Sequence, residues 1–407
     1  MSPEMRTVSE LERDGVLLVQ DGNHGEYRPR RHEIVEDGTP HIRAADIRGD
    51  GSIDFDGAQR INATALARIR KGVGAPGDIL LTHKGTVGRV GRVPLGAPHF
   101  VCSPQTTFWR CLRPDVLAPG FLYAYLRSPQ FASQLRARMH ESDMAPYVSL
   151  TGQRALEVWV PPLAKQEGIA SVVGSLDRRI ESNQRLAGLL AECCSTLFKR
   201  RSADAAEGTK SIYEIASVTY GAPFKSALFN QSEGMPLVRV RDVGEQRPSL
   251  RTPEFHPKSR VVRRGDIVVG MDGEFRAHAW AGPDALLNQR VCVFDPLPGV
   301  SRAFLLEAVK QPLAFFEATK GGTTVIHLGK RDIDTFQIAV PDEVVMRAFA
   351  EAVDPLLNLC VSLRGECRLL EEIREALLPK LVSGRIRVPS PPEDLLESSP
   401  PSVRSTV

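Results

Sequence analysis

The chain repeats itself, and a repeat constrains its fold more tightly than composition does. His41-Ile42-Arg43-Ala44-Ala45-Asp46-Ile47 returns as Leu237-Val238-Arg239-Val240-Arg241-Asp242-Val243, setting Arg43 over Arg239 and Asp46 over Asp242. Gly77-Asp78-Ile79-Leu80-Leu81 returns as Gly265-Asp266-Ile267-Val268-Val269. The segment opening at Phe121 returns from Phe304, with Pro129 over Pro312, and the segment ending at Pro161 returns ending at Pro341. One such pair could be chance. Four in the same chain order, with slowly drifting spacing, imply two copies of one unit, each about half of the 407 residues.

Each copy closes in a long helical segment. The first follows Pro161-Pro162 and runs to about Arg201. Its Ile169, Val173, Leu176, Ile180, Asn183, Ala187, Leu190, Cys194 and Leu197 recur at alternating steps of four and three, a heptad seam. The second runs from about Asp342 to Ser383, with the rhythm at Phe349, Val353, Leu356, Cys360, Leu363, Cys367, Leu370, Ile373, Leu377 and Leu381. Pro355 is expected to kink it, Pro379 to loosen its last turn, and Gly384 to cap it. A helix of this length spans roughly 50 Å. A lone amphipathic helix can lie on its own domain, but a sustained period of 3.5 favours two helices paired antiparallel. Asn183, the polar place in the seam, would fix their register.

The other segments read as mixed helix and strand. Gly77-Asp78 is a turn, Ile79 to Thr82 a strand, Lys84-Gly85 a second turn and Thr86 to Val93 a return strand. Phe100 to Leu112 reads as one strand, and Phe121 to Met139 as a helix interrupted near Ser128-Pro129. The fold class is therefore α/β (α+β): two repeated domains alternating with two long helices. The boundaries read as domain 1 over residues 1–162, helix 1 over 163–203, domain 2 over 204–341 and helix 2 over 342–385. The Pro/Ser-rich tail, 386–407, has no core pattern and reads as disordered.

Composition excludes more than it identifies. Apolar residues at 42% and charged residues at 25% are an ordinary globular balance. A net charge of +3 gives no global basic field, although 41 of the 52 basic residues are Arg, the better fork for phosphate and guanine. Codon bias would give the same excess. No apolar run reaches the roughly 18 residues of a membrane span, and the N-terminus lacks the apolar core of a signal peptide. Seven cysteines without a CxxC spacing argue for reduced thiols in the cytoplasm. Gly85-Thr86-Val87-Gly88-Arg89-Val90-Gly91 lacks the Lys-Ser/Thr of a phosphate loop and reads as a hairpin. The stretch Asp21 to Glu26 reads as a capped turn; a metal or general base there is the alternative. Nothing assembles a nucleophile, base and oxyanion donors, so neither a catalytic residue nor a metal site is expected.

Two hairpin tips stand out. His83-Lys84-Gly85-Thr86 presents a cation, donors and a hydroxyl, and is equally a solvated turn or a DNA contact. The counterpart from Gly270 to Arg276 shares the preceding strand but not its chemistry, and the same holds for Ser103 to Thr107 against Asn288-Gln289-Arg290. Two readers of different sequences would diverge this way. So would unconstrained loops.

The layout resembles the specificity subunit of type I restriction–modification systems. The matching pieces are GDILLTHKGTVGRVGRV from Gly77, SPQTTFW from Ser103, PPLAKQEGIASVVGSLDRRIESNQRL from Pro161 and LLPKLVSG from Leu377; with the repeat they cover nearly the whole chain. The second helix departs from the pattern, since its opening lacks PPLAKQEG. The resemblance implies two target-recognition domains, each reading one half of a bipartite double-stranded DNA site. It implies helices that set the spacing and dock two methyltransferase subunits, which restriction–motor subunits can join. It further implies a chain without catalysis of its own, the S-adenosylmethionine, ATP and magnesium being used by those partners. The residues expected at the DNA are Lys84, Thr86, Arg89 and Gln105 in the first domain. In the second they are Arg276, Gln289 and Arg290, with Lys330 and Arg331 nearer the phosphates. A coiled-coil scaffold that reads no DNA, or a two-domain repressor acting alone, would share the helices and the repeat.

Overall fold

The repeat is written in the backbone pairing. The computed structural model describes residues 4–139, 145–202, 206–319 and 326–388. The tail from residue 389 lies outside these residues. The chain divides into two compact units, one built up to Asp177 and again from Ile373, the other from Arg178 to Glu372.

In the first unit a four-stranded antiparallel sheet has the spatial order Leu17–Asp21, Thr106–Cys111, Ile79–Thr82, Val90–Arg92. In the second unit the order is Ala216–Tyr220, Val291–Pro296, Ile267–Gly270, Ala277–Ala279. Ile79–Thr82 and Ile267–Gly270 are buried at every position, which is why both read as unbroken small or apolar runs rather than alternating ones. A second sheet in each unit contains one parallel pair, His41 opposite Val101 and Leu237 opposite Leu286. A two-stranded ribbon completes each unit, Glu4–Thr7 with Glu157–Val160 and Ala206–Ser211 with Gln337–Pro341.

Small devices recur with the strands. Asp46 accepts from the Arg43 backbone N–H and guanidinium, and Asp242 does the same for Arg239. The repeated Arg and Asp thus clamp a turn. Gly22 and Gly221 each follow the first strand of their four-stranded sheet. A Cβ at Gly22 would lie 2.1 Å from the Cys102 carbonyl oxygen, and at Gly221 1.9 Å from that of Asn288. Only glycine lets the backbones approach so closely.

The cores follow the sheets. Trp109, Phe121, Tyr125 and Phe131 are buried in the first unit; Phe275, Phe294, Phe304 and Phe336 fill the second. The expected helix from Phe121 is two helices, Pro119–Leu126 and Pro129–Ala137, with Ser128 capping the second.

The long helices are Leu163–Ser202 and Glu343–Val382, each of 40 residues. They pair antiparallel. Within the second unit, the Cys367 thiol approaches the Ile180 carbonyl at 3.6 Å and the Cys360 thiol the Ala187 carbonyl at 3.3 Å. A heptad forward on one helix is matched by a heptad back on the other. Within the first unit, Ile169 and Val173 share a core with Leu378, Leu381 and Val382. Val353 and Leu363 are buried, Asn183 is buried in the seam, and Leu176, Leu190, Leu197, Leu356, Leu370 and Leu377 are half-buried. The Glu366 carboxyl is held below its ordinary pKa by Arg179 first and also by the Asn183 side chain.

Three local expectations are corrected. Phe100 to Leu112 is two strands, Phe100–Cys102 and Thr106–Cys111, which belong to different sheets. The Thr106 N–H bonds back to the Ser103 carbonyl at 3.1 Å, and this turn over Pro104 sends the chain from one sheet to the other. The return strand is only Val90–Arg92, because Gly85 and Gly88 take positive φ and residues 83–88 form the tip. Ile373 is exposed rather than in the seam, while Leu378 and Leu381 are buried. The helix also continues through Pro355, whose expected kink does not end it. Gly384 closes it at φ +72°, its N–H on the Leu381 carbonyl.

Candidate nucleic-acid interface

At the end of the central strand in each unit, three chain segments are tied by backbone hydrogen bonds. In the first unit, His83 N–H donates to the Gln105 carbonyl at 2.9 Å, and Val148 N–H to the His83 carbonyl at 2.8 Å. Gly85 N–H donates to the Pro146 carbonyl at 3.0 Å. In the second, Met271 N–H donates to the Arg290 carbonyl at 2.8 Å, Leu328 N–H to Met271 at 2.8 Å, and Gly273 N–H to Ile326 at 3.0 Å. The two sets superimpose bond for bond. They place Gln105 where Arg290 stands, Lys84 where Asp272 stands, and Tyr147 where His327 stands.

Of the first-domain candidates, Lys84, Thr86 and Gln105 are exposed at one tip. Arg89 is half-buried, and one guanidinium nitrogen donates to the Ile47 carbonyl at 3.0 Å, so part of this side chain braces the scaffold. His83 is buried, its Nδ1 against the Val148 carbonyl at 3.0 Å; burial first of all lowers its pKa.

In the second domain the exposed candidates are Arg276, Gln289 and Arg290. Arg290 takes a left-handed φ of +70°, rare for a residue with a side chain, and its guanidinium meets the His327 ring. His327 Nδ1 lies 2.5 Å from Asp272 Oδ1, so cation, imidazole and carboxylate form one chain across the tip. Arg276 pairs with Glu274 at 3.1 Å. Lys330 pairs with Asp334 at 2.8 Å and lies over the Tyr213 ring at 5.4 Å; its pKa is raised, first by the Asp334 hydrogen bond. Arg331 is exposed beside it on the short helix Lys330–Ile333.

Sequence reasoning missed Tyr147, Asp272 and His327. His327 lies inside the repeated segment that ends at Pro341 and Tyr147 one residue before the segment that ends at Pro161, so extending the shorter segment by one residue would have paired them. Their place at the tip, far along the chain from residues 83–88 and 271–276, had no local signal.

Among the described residues no group of three or more His, Cys, Asp or Glu is arranged to hold a metal. In the Asp21–Glu26 stretch His24 meets Asp21 at 2.9 Å and the Asn23 side chain accepts from the N–H of Arg70 and of Lys71 in a separate segment, while the short helical turn Gly25–Tyr27 carries no side-chain cap, so the expected capped turn is instead a turn tied to its neighbour. Burial pushes the Cys102 thiol up to about 12, far from a reactive thiolate. No helix among the described residues is long and apolar enough to cross a membrane.

No model of a known protein family matches the chain. A stretch of 182 residues is 32% identical to the type I restriction enzyme EcoBI specificity subunit of Escherichia coli. That match covers 43% of this chain and only 38% of that relative's length. A longer match, 23% identical over 341 residues, covers 75% of this chain and 78% of the type I restriction enzyme MjaIX specificity subunit of Methanocaldococcus jannaschii. The fold is similar to the crystal structure of the type I restriction–modification S subunit from M. genitalium, with a TM-score of 0.55 at 16% identity, over 94% of this chain and 96% of that one. The chain resembles type I specificity subunits. The likeness in fold supports the two-domain, two-helix architecture read from the repeat.

Proposed function

We propose that this chain is the DNA-specificity subunit of a type I restriction–modification complex. Each tip reads one half of a bipartite double-stranded site, and the paired helices set the spacing and dock two methyltransferase subunits. Restriction–motor subunits can join that assembly. The observation that carries this reading is the pair of equivalent tips. An identical backbone frame presents Lys84, Gln105 and Tyr147 in one copy and Asp272, Arg290 and His327 in the other. Such a frame holds side chains in place for base edges while the chemistry is free to differ. Exposed Lys and Arg beside each tip supply phosphate contacts that hold the register.

The chain contributes selection rather than turnover. S-adenosylmethionine, and ATP and magnesium where a motor is present, act in the partner subunits. The test is reconstitution with methyltransferase subunits followed by mapping of methylated sites. We expect a two-part motif with an unread spacer, binding that weakens steeply with salt, and no methylation or cleavage by the chain alone. Sequence-independent methylation, or turnover by the isolated chain, overturns the reading.

A further inference from the structure

Within the second unit a cavity of about 710 Å³ opens beside the edge strand Ala277–Ala279, the helices Arg302–Ala308 and Lys310–Thr319, and the paired long helices. Its wall is mainly apolar, with Leu306, Leu357 and Val361 prominent. Four cationic or titratable groups, Arg276, His278, Lys310 and Arg364, are set into that wall, as are two carboxylates, Glu307 and Glu317. The pKa of the His278 imidazole is lowered, first by burial and then by the charges of Arg364, Lys310 and Arg276 around it. Glu307 is occupied by Lys310 at 2.5 Å, Glu317 accepts from the Phe275 N–H at 3.2 Å, and Arg276 is held by Glu274. Among the described residues no ion pair holds Arg364.

The first unit shows what the same place looks like when filled. The repeat register sets Arg127 against Lys310, Asp177 against Leu357 and Arg374 against Cys194. In the first unit Asp177 lies between the guanidiniums of Arg127, at 2.8 Å, and Arg374, at 2.6 Å. In the second unit the carboxylate has become Leu357 and one guanidinium Cys194, both of which line the cavity. Of the first unit's cluster only one cation is kept here, as Lys310, and Glu307 pairs with it, while Arg364 is a cation of the second unit's own, set in the wall without an ion pair among the described residues.

We propose that this cavity binds a small amphipathic monoanion, its charged head against Arg364 and His278 and its apolar body over Leu306, Leu357 and Val361. The volume is in the range of small-molecule sites, about 300–1,000 Å³. A single charge is specified because Glu307 and Glu317 would repel a second. A carboxylate head gives Arg364 the kind of partner that Asp177 gives the guanidiniums of Arg127 and Arg374 in the first unit.

Decanoate is the probe, with decanol and decylammonium as the neutral and positive heads on the same body. Calorimetric titration uses the full chain without DNA or partner subunits, so the result does not depend on the proposed function. We expect saturable one-to-one binding of decanoate, and binding at least tenfold weaker for decanol and decylammonium. Arg364→Gln should weaken decanoate at least tenfold and leave decanol unchanged. Leu357→Asp, which restores the first unit's carboxylate, should abolish decanoate binding. Thermal melts followed by circular dichroism establish that each variant folds; if Leu357→Asp does not, Arg364→Gln carries the test alone. Absence of saturable binding, equal affinity for decanol, or an unchanged affinity in Arg364→Gln overturns the proposal.

Discussion

Replacing Asp177 by Asn tests how the first unit holds its helix pair. The carboxylate takes one hydrogen bond from Arg127 and one from Arg374, on two different helical segments, and the three side chains are only 13–15% exposed. Each pair gains about 4 kcal/mol of Coulomb attraction at an effective dielectric near 20. Desolvation and the repulsion between the two guanidiniums offset much of that. Asn keeps the shape but leaves two mostly buried cations facing each other. Breaking a buried pair in this way costs about 3–5 kcal/mol, and the retained amide oxygen places Asn toward the lower end. The assay is urea unfolding followed by tryptophan fluorescence in a Trp280→Phe background. The remaining tryptophans, Trp109 and Trp159, then both report on the first unit. At a urea slope of about 1–3 kcal/mol per molar, the midpoint should fall by roughly 1–3 M. The triple change Asp177→Leu, Arg127→Lys, Arg374→Cys copies the second unit at these three places and leaves a single ammonium where Asn leaves two facing guanidiniums. It should cost less than Asn alone. A shift in the Asn variant worth under about 1 kcal/mol, the value of a solvated surface pair, would refute the reasoning.

Three further outcomes are expected. Glu33 has its pKa lowered to about 2, first by the Arg68 hydrogen bond, so its contribution to stability is present above the unfolded value near 4.5 and is lost as pH falls toward 2. Melting temperatures of wild type and Glu33→Gln should therefore differ at neutral pH and converge in acid; a constant gap contradicts the assignment. Leu363 packs against Ala187, Cys360, Leu190 and Ala191, so Leu363→Asp buries an unpaired charge and should cost several kcal/mol, lowering soluble yield and methyltransferase capture together. Retention of both would mean that this contact does not hold the seam. Changing Gln289 and Arg290 should alter one half of the methylated motif at about 1–3 kcal/mol per lost base contact, whereas Arg331→Ala should weaken all targets alike and flatten the salt dependence; methylation maps that change in both halves at once contradict two independent readers.

Much of the architecture was legible because it is carried by local patterns. The alternating fours and threes from Ile169 to Leu197 announce a seam, and Gly77-Asp78 and Gly265-Asp266 mark equivalent turns before equivalent buried strands. The failures share a cause. Phe100 to Leu112 is apolar on both sides of Pro104, and periodicity cannot report that the two sides enter different sheets. Ile373 keeps the heptad spacing, yet the buried positions nearby are Leu378, Leu381 and Val382, because local packing chooses which apolar side chains are covered. Arg89 reads as a free cation at a hairpin tip, and only the fold brings the Ile47 carbonyl within its reach.

The candidate sites divide along the same physical line. What the two copies share is either backbone or acts on backbone: the Arg–Asp clamps at Arg43 and Arg239, the close approaches at Gly22 and Gly221, the hydrogen bonds from residues 83 and 271. None of these depends on the side chain displayed at the tip. Gln105 and Arg290 hold the same position through their carbonyl oxygens, so the side chain is released from any structural duty there. A scaffold fixed by main-chain bonds can therefore exchange its exposed chemistry without refolding. The pairing of Arg290 with His327 and Asp272 shows a replacement that makes its own local support, and the contact with the His327 ring nitrogen limits where that cation can point. On the proposed function, recognition by such a tip changes through side-chain substitution on a constant frame, and a repeat that is strong in the strands and weak at their ends is what that arrangement leaves in the sequence.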